Sequence, residues 1–321
     1  MYQALYRKYR PQTFDDVVGQ GAVTQTLKTQ ILTGKLSHAY LFTGSRGTGK
    51  TSCAKILAKA VNCLNPQDGN PCNCCEACKA IDAGTCMDVL EIDAASNNGV
   101  DSVRDLRDDA AYSPSQVRKR VYIIDEVHML SISAFNALLK IIEEPPEHLL
   151  FILATTELHK VPATILSRCQ RFAFKRISQG DIAARLQYVA YQENIDLDDS
   201  AARILARLAD GGMRDGLSLL DQCASATTGE LNAQAVYDCL GIAGIQECGS
   251  RPGQQNGPVH SQPAIYPGQG PVRHAGRVGL PHPGPADPAC CTERRHYAAF
   301  RGHGRRGCPG TGEKIHRRPA G

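Results

Sequence analysis

The stretch of residues 44–51 constrains the fold of this chain more than any other part of its sequence. It reads Gly-Ser-Arg-Gly-Thr-Gly-Lys-Thr and fits the pattern G-x-x-x-x-G-K-S/T. A short apolar run at residues 39–43 predicts a buried strand before it, and residues 52–60 follow with apolar side chains at helical spacing. A glycine-rich loop between a strand and a helix is the context in which this pattern binds phosphates. We therefore expect an α/β fold built around a nucleotide site.

Each fixed position of this loop has a physical role in phosphate binding. Glycines leave room for backbone N–H groups to close around phosphate oxygens, and the following helix adds its positive N-terminal end. We expect Lys50 to reach the β- and γ-phosphates and the Thr51 hydroxyl to ligate Mg²⁺. A glycine turn that merely precedes a helix is the alternative, but it would not require every fixed position. The predicted nucleotide-binding residues of the loop are Gly44, Ser45, Arg46, Gly47, Thr48, Gly49, Lys50 and Thr51.

The length and composition of the chain limit its class. With 321 residues, 42% of them hydrophobic, it is long enough for two domains with their own cores. The sequence has neither an apolar run of about 18 residues nor a leader peptide. We therefore expect no membrane insertion and a cytoplasmic location.

Charge divides the chain into two unlike parts. Residues 248–321 hold 11 of the 36 Lys and Arg but 3 of the 32 Asp and Glu, with 14 of the 30 Gly and 11 of the 18 Pro. Such a segment cannot bury enough apolar surface to offset the entropy of ordering, so we expect residues 245–321 to form a disordered tail. A basic nucleic-acid-binding tail is one alternative, and an out-of-frame extension is another.

The rest of the chain shows two kinds of pattern. Strand-like and helix-like segments alternate up to about residue 177, which predicts a parallel α/β domain over residues 1–177. From residue 181 onward the pattern is wholly helical, which predicts a small helical lid over residues 178–244. The predicted lid helices cover residues 181–190, 200–208, 213–224 and 232–240.

A second candidate motif lies at the end of an apolar run that begins at Arg120. The run leads directly into Asp125 and Glu126, so the end of a strand and the turn after it can aim two carboxylates at different targets. Asp125 suits a Mg²⁺ ligand, and Glu126 suits a base that polarises the water attacking the γ-phosphate. Together with the phosphate loop, this pair predicts nucleotide hydrolysis.

A cysteine cluster lies between these two motifs. Cys63, Cys72, Cys75 and Cys78 have the spacing C-x8-C-x2-C-x2-C within a loop of turn-forming residues at about 62–80. Four thiolates so placed can enclose a tetrahedral Zn²⁺, and such a closed site is structural. Disulfides are the competing interpretation, but they do not persist in the reducing cytoplasm. The ligand set stays ambiguous because the thiols of Cys74 and Cys86 lie nearby in the sequence.

Three further positions suit the detection of a bound nucleotide. The apolar run at 151–154 ends in Thr155 and Thr156, which the pattern cannot tell apart, and ordinary strand termination is the alternative. Arg168 and Arg214 could each stabilise charge on a transferred phosphoryl group, from the same chain or a neighbouring one. A lone surface arginine is more commonly a salt-bridge partner.

These motifs together resemble one known family. The segment at 6–20, the cysteine cluster, the Leu-Leu-Lys-Ile-Ile-Glu-Glu-Pro-Pro run at 138–146 and Ile-Leu-Ser-Arg-Cys at 165–169 are similar in order and spacing to the gamma/tau family of bacterial DNA polymerase III. Members are AAA+ ATPases that drive the sliding-clamp loader. The resemblance covers about residues 1–244, and it implies an AAA+ α/β domain with an inserted zinc loop, a helical lid, and ATP, Mg²⁺ and Zn²⁺ as cofactors.

The resemblance also implies roles for single residues. Arg7, Val17 and Val18 would lie by the adenine, Thr156 would be the first sensor of the γ-phosphate, and Arg214 the second. Arg168 would be an arginine finger offered to the ATP of an adjacent subunit. In such loaders ATP binding orders a hetero-oligomeric ring that opens the clamp and grips primed DNA, and hydrolysis releases both. We expect no polymerase active site, because no carboxylate-lined two-metal cleft is apparent in the sequence.

Other classes fit the sequence less well. A branch-migration motor would share the phosphate loop but would not be expected to carry the cysteine cluster. A small-molecule kinase should not need the helical lid, and a zinc-stapled interaction protein would have no use for the phosphate loop. The family continues into a helical collar after the lid, whereas here the Gly/Pro/Arg-rich tail follows, so we expect ring assembly to be impaired.

Overall fold

The computed structural model describes residues 2–227 and 229–242, and a five-stranded parallel sheet lies at its centre. The strand order is β2-β3-β4-β1-β5. Every neighbouring pair is parallel, as the predicted alternation of strands and helices requires. The strands are β1 Ala39–Thr43, β2 Val89–Asp93, β3 Arg120–Asp125, β4 Leu149–Thr155 and β5 Gln170–Ala173.

Helices cover both faces of the sheet, which explains why its central strands are apolar throughout. Along β1, Ala39 and Leu41 pack on one face with helices α5 and α6, while Tyr40 and Phe42 pack on the other with α2 and α3. The helices around the sheet are α1 Leu5–Lys8, α2 Gly21–Thr33, α3 Lys50–Asn62, α4 Glu76–Ala83, α5 Val100–Ala110, α6 Ile132–Glu143 and α7 Ala163–Leu166.

Four further helices form a third core after the sheet, at the positions that the sequence predicts. They are α8 Gln179–Gln192, α9 Asp199–Leu208, α10 Met213–Ala226 and α11 Ala233–Leu240. Side chains of Ser178, Asp198 and Asn232 cap three of them by accepting hydrogen bonds from first-turn N–H groups. The fold class is therefore confirmed: a parallel α/β sheet with an inserted cysteine loop, followed by a helical lid.

The sheet and the lid helices lie within one compact unit of the chain. The boundary near residue 177 stays a prediction, and so does the disordered tail at 245–321, which lies outside the described residues. Within 2–227 and 229–242, no helix is both long enough and apolar enough to cross a membrane.

Candidate nucleotide site and cysteine cluster

The phosphate loop joins the end of β1 to the start of α3. Gly44 has φ 147°, and a Cβ there would lie 2.4 Å from the backbone oxygen of Phe174, so only glycine fits. Gly49 has φ 103° and immediately precedes the first residue of α3, Lys50. The first N–H groups of an α-helix have no partner within the helix, so this end of α3 offers donors and a positive dipole to an anion.

Lys50 is held against the loop. Its ammonium group donates to the carbonyl oxygens of Gly44 and Ser45, each at 2.9 Å, and the residue is only 6% exposed. Burial lowers the pKa of Lys50, while the negative charges of Glu126 and Asp125 act against that shift. The loop thus fixes a cation beside the two carboxylates that the sequence selects.

Thr51 and Asp125 meet at the start of α3. The Thr51 hydroxyl donates to Oδ2 of Asp125 at 2.6 Å. The other carboxylate oxygen of Asp125 accepts from the backbone N–H of Glu126 at 3.0 Å. A hydroxyl and a carboxylate in contact beside a phosphate loop are the oxygen ligands that Mg²⁺ takes in P-loop proteins, so these residues fit that ion.

Glu126 points away from Asp125 because the chain turns at this residue. Its φ of 47° lies in the left-handed region, immediately after β3 ends at Asp125. Its Oε2 accepts from the Thr156 hydroxyl at 2.9 Å and from the Thr156 N–H at 3.2 Å. The two adjacent acids therefore face different partners, as the sequence predicts.

The structure separates the two threonines that the sequence pattern could not. Thr155 is fully buried, and its hydroxyl lies 3.0 Å from Nδ1 of His128. Thr156 follows β4, and it is the threonine that donates to the Glu126 carboxylate. His128 was not selected from the sequence, yet it lies 3.4 Å from Glu126 and 3.3 Å from Glu157. Its position two residues after Glu126 was the available signal.

A cavity of about 590 Å³ lies above the phosphate loop. The N-terminal segment and helix α10 form its other walls, and the backbone N–H of Met213 donates to the Gly47 carbonyl at 3.0 Å. The guanidinium of Arg214 lies 4.9 Å from the centre of the Tyr6 ring. Predicted site residues that line the cavity are Arg7, Val17, Val18, Arg46, Gly47, Thr48, Gly49, Lys50, Thr51, Asp125, Glu126 and Arg214.

Some predicted site residues do not line the cavity, and some residues that line it were not predicted. Gly44 and Ser45 accept hydrogen bonds from Lys50, which lines the cavity. Thr156 donates to Glu126, which also lines it. Further residues that line the cavity were not predicted, because no chemical motif marks them individually. They are Tyr6, Tyr9, Arg10, Pro11, Asp16, Ser52, Glu91, Ile177, Arg185, Met213 and Leu217.

Arg168 does not line this cavity. Its guanidinium forms an ion pair with Glu143 at 2.7 Å and donates to the Thr164 carbonyl at 2.9 Å. The side chain is partly exposed on the surface after α7. Within one chain, Arg168 is therefore not brought together with the phosphate loop.

The cysteine cluster forms as the spacing predicts. Cys63 follows α3, Cys72 and Cys75 lie in the loop, and Cys78 lies on α4. The four Sγ atoms lie within 4.8 Å of one another. The thiol of Cys74 is exposed, and neither Cys74 nor Cys86 belongs to this group of four.

The environment of the cluster favours a bound cation. The backbone N–H groups of Cys74 and Cys75 lower the pKa of the Cys72 thiol to about 6, so this sulfur ionises readily. Burial raises the pKa of Cys78, a cost that coordination of a metal would offset. Tetrahedral Zn²⁺ with bonds of about 2.3 Å requires sulfurs roughly 3.8 Å apart, which fits this group of atoms.

Fold and site together define the class of the protein. AAA+ P-loop ATPases share an arrangement that this chain shows. It has a phosphate loop after strand β1, an acid pair at the end of β3, and a helical lid. Among solved structures, the Thermotoga maritima RuvB Holliday junction branch migration motor is similar with a TM-score of 0.54 and 17% identity. That likeness covers 73% of this chain and 72% of RuvB, and it supports the fold alone.

Sequence relatives then specify the family. The profile of "DNA polymerase III, delta subunit" matches residues 19–178, and that of "DNA polymerase III clamp loader subunit, ATPase lid domain" matches residues 181–229. The chain belongs to the DNA polymerase III gamma/tau family. It is 59% identical to subunit tau of Bacillus subtilis, 49% to subunit tau of Escherichia coli and 45% to subunit gamma of Buchnera aphidicola.

Each of these alignments covers about three quarters of this chain. They cover 76%, 75% and 75% of this chain, respectively. The chain spans 43% of the Bacillus subunit and 37% of the Escherichia subunit, and 67% of the Buchnera subunit.

Proposed function

We propose that this chain is an ATP-hydrolysing motor subunit of the bacterial DNA polymerase III clamp loader. It would couple ATP binding and hydrolysis to the loading of a sliding clamp onto primed DNA. The observation that carries this proposal is the single cavity in which the phosphate loop, the acid pair and the lid arginine meet. Membership of the gamma/tau family supports the choice of clamp loading over other uses of an AAA+ site.

The phosphate-binding half of the site has a clear division of roles. The backbone of residues 44–51 would hold the phosphates, and Lys50 would exchange its two carbonyl contacts for β- and γ-phosphate oxygens. Thr51 and Asp125 would hold Mg²⁺, which supplies neutralising charge when it is bound. Arg7, Val17 and Val18 would enclose the adenine at the other end of the cavity.

The hydrolytic half depends on Glu126. Its carboxylate would take a proton from the attacking water, and Thr156 would hold that carboxylate and sense the γ-phosphate. Arg214 would report the γ-phosphate to the lid, because it lies at the start of α10 beside the cavity. Arg168 would act on the ATP of a neighbouring subunit, so that hydrolysis depends on assembly.

The proposed partners are other clamp-loader subunits, the sliding clamp and primed DNA. The predicted lack of a collar concerns residues after 244, outside the described residues, so its effect on assembly stays a prediction. DNA synthesis would belong to the holoenzyme that this subunit serves. Its role in bacterial replication would place the chain in the cytoplasm. We assign Zn²⁺ to Cys63, Cys72, Cys75 and Cys78 as a structural ion.

The test of this proposal is steady-state ATP turnover by the chain combined with purified loader subunits. Addition of both clamp and primed DNA should raise turnover, and clamp should become topologically linked to a closed circular primed template. Lys50→Ala should abolish both effects. Turnover that ignores clamp and DNA, with transfer of phosphate to a metabolite, would contradict the proposal and favour a kinase.

A further inference from the structure

A fully buried lysine joins the cysteine loop, residues 63–78, to the N-terminal part of the chain. Lys59 on α3 is 1% exposed. Its ammonium group donates to Oε1 of Gln12 at 2.6 Å, to Oδ1 of Asn73 at 2.8 Å and to the Asp82 carboxylate at 3.0 Å. A buried ammonium is costly unless all its protons are bonded, so these three contacts hold one another in place.

A second contact between the same two segments lies beside it. The side chain of Asn70, 9% exposed, accepts from the Phe14 N–H at 2.9 Å and donates to the Asp15 carboxylate at 2.7 Å. Lys28 on α2 then pairs with Asp15 at 3.1 Å and with Asp68 of the cysteine loop at 2.8 Å. The cysteine loop therefore contacts residues 12–15 at two points, one through the buried Lys59 and one through the buried Asn70.

Residues 12–15 belong to a segment that forms one wall of the cavity. Residues 10–18, which we call the wall segment, contribute Arg10, Pro11, Asp16, Val17 and Val18 to the cavity lining. Arg10 also donates to the hydroxyl of Ser52 on α3 at 3.3 Å. The wall segment thus lies between the cavity on one side and the cysteine loop on the other.

We propose that the cysteine loop positions the wall segment, so that metal binding by the four cysteines raises the affinity of the cavity for ATP. Lys59, Asn70 and Asn73 are positioning residues in this arrangement, because they act through the wall segment and do not touch the nucleotide. The inference rests on the proposed ATP site. Because such coupling is reciprocal, bound nucleotide should also raise the affinity of the four cysteines for the metal.

The test compares two variants that break the Lys59 contacts from opposite sides. Gln12→Ala removes the acceptor on the wall segment and leaves the cysteine loop intact. Asn73→Gly removes the acceptor on the loop, and glycine tolerates the φ of 57° at this position. Cys74→Ser is the matched control, since its exposed thiol adjoins Asn73 and lies outside the cluster.

Three quantities are measured on the full chain. They are the Kd for a fluorescent non-hydrolysable ATP analogue with Mg²⁺, the bound zinc released to a chromogenic chelator, and the melting temperature without nucleotide. We expect Gln12→Ala and Asn73→Gly each to raise the Kd by about 5-fold or more, with zinc content near wild type. The double variant should raise the Kd by less than the product of the two single effects, because both substitutions break the link through Lys59. Cys74→Ser should change nothing.

Removal of the metal provides a second, independent test of the proposal. A zinc-selective chelator, with Mg²⁺ in large excess, should raise the Kd of wild type by a similar factor. It should have a smaller effect on Gln12→Ala, in which the contacts of Asn70 with Phe14 and Asp15 remain. Wild-type affinity in Gln12→Ala, or an unchanged wild-type Kd after zinc removal, would overturn the inference and leave the ATP site standing. Failure of the wild-type chain to bind the analogue at all would instead refute the proposed function.

Discussion

Glu126 owes its orientation to its own backbone. A left-handed conformation is costly for a residue with a side chain, and it persists only where the surroundings fix it. Here Asp125 accepts the Glu126 N–H, and Thr156 holds the Glu126 carboxylate. The turn therefore separates the acid proposed to bind Mg²⁺ from the acid proposed to activate water, although they are adjacent in the sequence.

Glu126→Gln should separate nucleotide binding from hydrolysis. The amide keeps the shape of the side chain but cannot accept a proton, so kcat for ATP should fall by about 100-fold or more. The Kd for ATP should stay within a factor of about 3 of wild type, because the phosphate contacts remain. Stopped-flow binding and single-turnover hydrolysis measure the two quantities, with the exposed Glu144→Gln as control. An equal loss of binding and turnover would contradict the assigned role.

The sheet brings the site together at the scale of secondary structure. The strands β3, β4 and β1 are neighbours, and their carboxyl ends carry the acid pair, Thr156 and the phosphate loop. These strands could be predicted from sequence, because buried parallel strands are short apolar runs with distinctive ends. The choice between Thr155 and Thr156 could not, because it depends on which one meets Glu126 across the sheet.

Other parts of the site were predictable to different degrees. The spacing of the cysteines predicts the group of four, but only the fold of the loop shows that Cys74 lies outside that group. The contacts of Lys59 with Gln12 and Asn73 join residues 47 and 14 positions apart, and no local pattern signals them. Motifs whose residues are close together in the sequence can therefore be predicted. Hydrogen-bond networks between polar residues far apart in the sequence cannot, because only the fold brings them together.

A buried ion pair near the start of β2 and β3 should make stability depend on acidity. Asp88, 1% exposed, accepts from Arg120 and from the N–H groups of Ser115 and Gln116. Burial raises the pKa of Asp88, but these hydrogen bonds outweigh it and hold the pKa below its usual range. Its contribution is therefore complete above about pH 4 and is lost as pH falls through the lowered folded-state pKa.

Asp88→Asn should lower the free energy of unfolding by about 3 kcal/mol at neutral pH, because it leaves the Arg120 charge without its buried partner. The difference from wild type should shrink below about pH 4. Urea unfolding across pH checks both expectations. Asp101→Asn, which breaks the exposed pair with Arg104, should change the free energy by less than about 1 kcal/mol. A pH-independent effect of Asp88→Asn would refute the electrostatic explanation.

On the scale of the whole molecule, residues of the sheet domain and of the lid helices both line the site. The lid touches the phosphate loop through Met213 and reaches the cavity through Arg214, so nucleotide binding can be reported to the lid helices. Arg168 does not line this cavity and lies partly exposed on the surface after α7. A single chain thus brings Arg214 of the lid to the proposed ATP site and leaves Arg168 outside it.

Arg168→Ala should leave ATP binding by the isolated chain unchanged. In an assembled loader it should lower clamp- and DNA-stimulated turnover by about 1000-fold at sites that receive this arginine, because a charge opposite the transferred phosphoryl group is lost. Mixed assemblies of wild-type and variant chains measure whether the defect occurs in trans. Arg171→Ala, an exposed position on β5, is the control. A defect confined to the chain that carries the substitution would contradict the finger role.

The central claim is that the cavity above the phosphate loop is an ATP site, and titration calorimetry with ATP and Mg²⁺ on the full chain tests it most directly. The account predicts one equivalent of ATP per wild-type chain and no detectable binding by Lys50→Ala, with the melting temperature of the variant close to wild type. Equal ATP binding by wild type and a folded Lys50→Ala chain would contradict it.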